Sequence, residues 1–190
     1  MARRALICSI LAVFACVLLT GCMPHHMTVE QMKAEMPARP AALDRLDAFV
    51  GRWQYEGETK FAMLDEPLKT TGTGEYNWDG NKWYMVGRET MNMEHFEPTQ
   101  MLETWTYDIH DKKYRSTFVD SIGEIGVGES TYNEETDTWH VKAKGHSPWG
   151  GFWMKGWMKC TGPDTMKWGM TEYQGLMKIM EMSGTAKRVK

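Results

Sequence analysis

From Arg52 to Phe61 the chain alternates without a break. Trp53, Tyr55, Gly57, Thr59 and Phe61 fall on one parity, and Arg52, Gln54, Glu56, Glu58 and Lys60 on the other. A period of two held this long cannot wrap into a helix; it requires a strand with one buried and one wet face. The pattern then recurs, giving further candidate strands at 69–78, 82–93, 99–109, 113–120, 124–132, 137–145, 149–160, 165–174 and 178–189. Turn signals separate them: Asp79-Gly80-Asn81, His110-Asp111-Lys112, Asn133 to Thr136, and Thr161 to Asp164. Pro67, Pro98, Pro148 and Pro163 fall in or beside these gaps, where a sheet tolerates a missing N–H. About ten strands joined by short turns predict an all-β antiparallel up-and-down meander, preceded by one or two short helices. Closing it into a barrel removes the exposed edges, and a β-sandwich is the competing architecture.

The N-terminus reads as an address. Met1–Arg4 is basic, Leu6–Leu19 is almost wholly apolar, and Thr20-Gly21-Cys22 follows. That is the layout of a secretory signal, too short to span a bilayer as a helix of about 20 residues. Leu18-Leu19-Thr20-Gly21-Cys22 resembles the lipobox of bacterial lipoproteins at every position. The resemblance implies cleavage after residue 21, a diacylglyceryl group on the Cys22 thiol, and acylation of the new amino terminus. Several acyl chains hold a protein stably to a membrane where one binds reversibly. Met23 stands where an Asp would favour the inner membrane, so the expected location is the cell envelope, at the outer membrane facing the periplasm. The expected organisation is a signal peptide at 1–21, a lipidated tether at 22–40 and a β-barrel domain at 41–190. Within the tether, Thr28 and Gln31 form a capping-box pattern ahead of Val29, Met32 and Met36. A second short helix carries Leu43, Leu46 and Phe49 or Val50 on one stripe and ends at Gly51.

Composition excludes some functions. The chain has 25 acidic against 22 basic residues with no Lys/Arg block, and cleavage would remove Arg3 and Arg4 but no acid. This argues against nucleic-acid partners and against electrostatic docking on a membrane. Of the four cysteines, Cys8 and Cys16 belong to the signal and Cys22 to the lipid, leaving Cys160 with no partner for a disulfide.

Two resemblances concern the domain itself. Gly51-Arg52-Trp53, directly after a short helical turn, is similar to the Gly-x-Trp signature of lipocalins and other calycin barrels. It implies that a basic residue of the last strand, here Arg188, packs over Trp53 in a structural role. Leu46, Phe49-Val50-Gly51-Arg52-Trp53, Trp83-Tyr84, Gly87-Arg88, Tyr107-Asp108, Lys113-Tyr114, Val119-Asp120-Ser121 and Ala186-Lys187-Arg188 resemble an uncharacterised bacterial family, domain of unknown function 1579. That family carries no established catalytic residues.

No Gly-x-Ser-x-Gly, His-Glu-x-x-His or P-loop pattern occurs, so no catalytic residue is assigned and an enzyme stays unsupported. Bulky groups line the parity expected to face inward, and Trp83, Met85, Met101, Trp105, Tyr107, Trp153 and Trp168 are the candidate lining of a site for a small apolar or amphipathic molecule. Glu89, Glu103 and Glu172 interrupt apolar faces by parity. They pair with Arg88 or Arg115 after a register shift, line a wet cavity, or return to solvent at a bulge. The 17 methionines include Met91-Asn92-Met93-Glu94-His95, and Met23, His25, His26 and Met27 cluster in the tether. Thioethers with imidazoles suit copper, so Met91, Met93 and His95 are a candidate soft-metal set, weighed against methionine as adaptable core filler. Otherwise no cofactor is expected. A ligand-free envelope scaffold is the third reading.

Overall fold

The computed structural model describes residues 27–189. The signal segment, Cys22, His25 and His26 lie outside them. The chain divides into two compact units, up to Ala38 and from Arg39 onward. The first contains α1 (Val29–Glu35), opened by the capping box: Gln31 N–H donates to Thr28 Oγ1, and Thr28 N–H to Gln31 Oε1. Val29, Met32 and Met36 are exposed.

The second unit begins with a 3-10 helix, Ala41–Ala48. Leu43, Leu46 and Phe49 recur every third residue, which three residues per turn brings onto a single stripe, and all three are buried. Ten strands follow: β1 (Gly51–Phe61), β2 (Leu68–Asp79), β3 (Tyr84–Met93), β4 (Thr99–Asp108), β5 (Lys113–Asp120), β6 (Ile125–Asn133), β7 (Thr138–Ser147), β8 (Gly150–Gly162), β9 (Thr165–Gln174) and β10 (Met177–Val189). Each pairs antiparallel with the next, and β10 returns to β1, so the meander is a closed barrel rather than a sandwich. Closure satisfies every strand's backbone on both sides and leaves no edge.

The seam is tight. Gly57 of β1 faces Gly184 of β10, and a Cβ on Gly57 would stand 2.2 Å from the Ser183 carbonyl oxygen. Only glycine lets the two backbones approach this far.

The two ends of the barrel differ. The 3-10 helix enters at the end where β1 starts and plugs it. Phe49 stacks on Trp105, with centroids 6.2 Å apart, and meets the edge of Trp139 at 5.2 Å. Tyr114 and Tyr132 pack on Trp139 in turn. The plug is also hydrogen-bonded, with Trp53 Nε1 donating to Phe49 O at 2.7 Å and Tyr114 Oη to Ala42 O at 2.7 Å. Burying Leu43 and Leu46 completely contributes roughly 1.5–3 kcal/mol each.

Arg188 locks this end. Its register partner is Trp53, and its guanidinium carbon lies 4.4 Å from the Trp53 ring centroid. It donates to Val50 O and Ala48 O and pairs with Asp164 at 3.2 Å. At the opposite end, the loops after β1, β3, β5, β7 and β9 form a rim with no such plug, and Met63, Phe96, Ile122, Trp149 and Leu176 stand exposed on it.

Candidate functional site: an acidic, methionine-lined lumen

Parity decides what enters the barrel. On β3 and β4 the inner residues are Met85, Gly87, Glu89, Met91 and Met93, and Met101, Glu103, Trp105 and Tyr107. The ladder from β2 through β4 runs without a register shift, so Arg88 stays outside and cannot reach Glu89. Arg115 is also outside, held by Asp108, Asp111 and Glu129. Among the strands described, Arg188 is the one cation on the inner face, and it is committed to the plug. The wet-cavity alternative for Glu89, Glu103 and Glu172 is therefore the one realised.

Glu89 accepts hydrogen bonds from Tyr55 Oη at 3.0 Å and from Tyr76 Oη. Burial still raises its pKa, opposed by the two phenols. Glu103, beside it, is pushed up to about 8, first by burial and then by the charge of Glu89. The pair thus keeps a proton at neutral pH, because two neighbouring carboxylates in a largely desolvated part of the lumen do not both ionise without a cation. Burial likewise raises the phenols of Tyr55 and Tyr76.

A second acidic group stands nearer the open rim. Glu172 on β9 is 5% exposed, and its carboxyl has no hydrogen-bond or ion-pair partner among the described residues. Burial raises it, with a smaller contribution from Asp120. Glu124, just before β6, is raised to about 7 by burial, then by Glu172 and Asp120. Asp120 accepts backbone N–H bonds from Ile122 and Glu124, which fixes the β5–β6 turn.

Between these groups the walls are apolar and incompletely packed. Met91, Met101, Phe118, Met154, Met170 and Met180 all lie on inner parity and keep part of their surface accessible, unlike a solid core. A space of about 650 Å³ runs along the β6–β10 wall. On the inner side it is bounded by Ser130, Val141, Gly156, Met170 and Met182, and on the outer side by residues such as His140, Lys142, Lys155 and Trp157. Ser130 Oγ, Trp105 Nε1 and Trp168 Nε1 are buried and close no hydrogen bond within the protein.

The lining expected from sequence is redistributed. Met85 and Trp105 belong to the packed cluster under the plug, with Trp83, Tyr107 and Trp168 packed against it. Met101 stands on the accessible inner wall. Trp153 is a correction: it faces outward, stacked on Tyr173 at 4.1 Å between centroids, with Nε1 donating to Gly175 O. On β8 the outer parity alternates Trp153 and Trp157 with Lys155 and Lys159, and the inner one carries Phe152, Met154, Met158 and Cys160. Trp157 also stays outside, where it covers the gap over Gly169. Trp149 and Ile109 are exposed as well.

Of the candidate metal set, Met91 and Met93 face the lumen. His95 lies in the turn after β3, with a positive φ of 69° and an exposed side chain near Glu94. The three are not on one face. Among the described residues no group of three or more His, Cys, Asp or Glu gathers as a metal site. Tyr55 is placed inward by parity but not singled out as a site residue in the sequence, and Tyr76, Glu124 and the methionines of β8–β10 are missed there.

Solved structures with the same barrel include Rv2717c from M. tuberculosis, with TM-score 0.61 and 11% identity, over 80% of this chain and 100% of that one. An S-type phycobiliprotein lyase, CPES from Guillardia theta, gives TM-score 0.58 and 11% identity, over 86% and 99%. At this identity the likeness is one of fold. No curated protein matches the sequence. The family described as protein of unknown function, DUF1579, matches residues 41–185, and the chain belongs to that family.

Proposed function

We propose that this protein is a lipid-anchored envelope barrel that binds a small amphipathic molecule in its lumen and performs no chemistry on it. One observation carries the reading. The open half of the barrel has accessible methionine and aromatic walls interrupted by carboxylates that nothing in the protein neutralises. A structural core avoids such groups, because burying an acid without a partner costs free energy and adds no packing. Binding sites retain them, as a few polar groups in an apolar concavity orient a ligand. The lipobox at Leu18–Cys22 supports attachment through Cys22, and Met23 supports the outer membrane as the destination. The test is native mass spectrometry of the protein extracted from its own host's envelope. A retained organic mass is the expected result. A chain that is bare apart from its lipid, after gentle extraction, sinks the binding reading.

A further inference from the structure

The lumen's electrostatics name the kind of molecule, provided that the barrel binds one. We infer that the ligand is an amphipathic organic cation, whose protonated nitrogen sits between the carboxyl groups of Glu89 and Glu103 and whose apolar body lies along Met91, Met101 and Phe118. The inner face offers five carboxyl groups, Glu89, Glu103, Asp120, Glu124 and Glu172, and no uncommitted cation among the described residues. An anionic ligand would add to a repulsion that is already uncompensated. A neutral one would leave it in place.

An ammonium group removes it. At neutral pH the Glu89–Glu103 pair holds a proton for want of a better counter-charge; a bound cation replaces that proton, which leaves to solvent, and both carboxylates then face the nitrogen. Tyr55 and Tyr76 stay as donors to Glu89 and fix its orientation. The phenols and carboxylates match an N–H donor in number and type.

Two observations outside the acidic pair point the same way. Ser130 Oγ is 1% exposed and unpaired, and its residue bounds the inner part of the 650 Å³ space. Glu172, on another strand, is buried without a partner. Ser130 Oγ is thus a free group facing that volume, and Glu172 adds an unpaired acid on the inner face. The walls select against a hard divalent metal ion, which takes six to eight oxygen ligands where thioethers offer none.

The experiment compares three probes with one ten-carbon chain, decylammonium, decanol and decanoate, all below micelle formation. They are titrated calorimetrically into the chain from residue 22 carrying Cys22→Ser, with calcium chloride as a fourth probe. Decylammonium is expected to bind at least tenfold more tightly than decanol, and decanoate least. Glu89→Gln with Glu103→Gln should bring decylammonium to the level of decanol and leave decanol unchanged. Independently of any variant, titration at pH 7 in two buffers of different ionisation enthalpy should show proton release with decylammonium and none with decanol. If decanol binds as tightly as decylammonium, or decanoate more tightly, the barrel is a binding module and the charge inference is wrong. Calcium binding tighter than decylammonium overturns it too. If none of the probes binds, the binding reading itself falls.

Discussion

Glu103→Gln tests the lumen's electrostatics without any ligand. Glu103 has an ordinary value of 4.5 in the unfolded chain and is pushed up to about 8 in the fold by burial and by Glu89. The folded protein therefore keeps this proton where the unfolded chain has lost it, and folding takes up a proton between pH 4.5 and about 8. Below that window both states are protonated and there is no penalty. As pH rises through it, stability falls by roughly 1.4 kcal/mol per pH unit, to a ceiling of about 5 kcal/mol for a fully dry group. Part of the Glu103 side chain is accessible from the lumen, so water and dielectric relaxation reduce this to about 2–3 kcal/mol. Glutamine keeps the shape and cannot ionise. In urea unfolding, the variant should match the parent within about 0.5 kcal/mol at pH 4.5 and exceed it by about 2–3 kcal/mol at pH 8.5. An equal difference at the two pH values, or a less stable variant at pH 8.5, would mean that Glu103 is charged and compensated in the fold, and would refute the reasoning.

Other perturbations address the scaffold and the anchor. Arg188→Ala removes the guanidinium from Trp53 and its hydrogen bonds to the plug carbonyls, and should cost about 2–4 kcal/mol in urea unfolding; Arg188→Lys should recover less than half, since an ammonium cannot fork to two carbonyls. Trp139→Ala, at the meeting point of Phe49, Tyr114 and Tyr132, should cost about 3–5 kcal/mol, read as a lower thermal midpoint. Gly57→Val places side-chain atoms against the Ser183 carbonyl and should prevent closure of the β1–β10 seam, seen as lost amide protection along both strands. Cys22→Ser should move the protein from the membrane fraction to the soluble one; unchanged fractionation would contradict lipid attachment at that residue.

Much of the fold is legible in single residues. Trp53, Tyr55, Thr59 and Phe61 declare the buried face of β1 because their neighbours are all polar. Gly, Asn and Asp in the turns mark nearly every strand boundary. Glu89, Glu103 and Glu172 stand out by parity, since a carboxylate on an apolar face is a local anomaly. Strand β8 misleads through its tryptophans: Trp153 and Trp157 share a parity with Lys155 and Lys159, and the charge-free parity of Phe152, Met154 and Met158 is the one that turns inward. Here the packing decides, as Trp153 finds Tyr173 and Trp157 covers Gly169 on the outside.

By itself, then, the sequence determined strand count, antiparallel meander and the oddity of the inner carboxylates, because each depends on patterns within about ten residues. Only the tertiary structure decided that β10 closes on β1, that Leu43, Leu46 and Phe49 turn Met85 and Trp105 into a packed floor, and that Arg88 and Arg115 stay outside while the acids remain uncompensated. Those outcomes depend on which distant strands become neighbours. A side chain's partners across a closed barrel are set by register and closure, quantities that no local window of sequence contains.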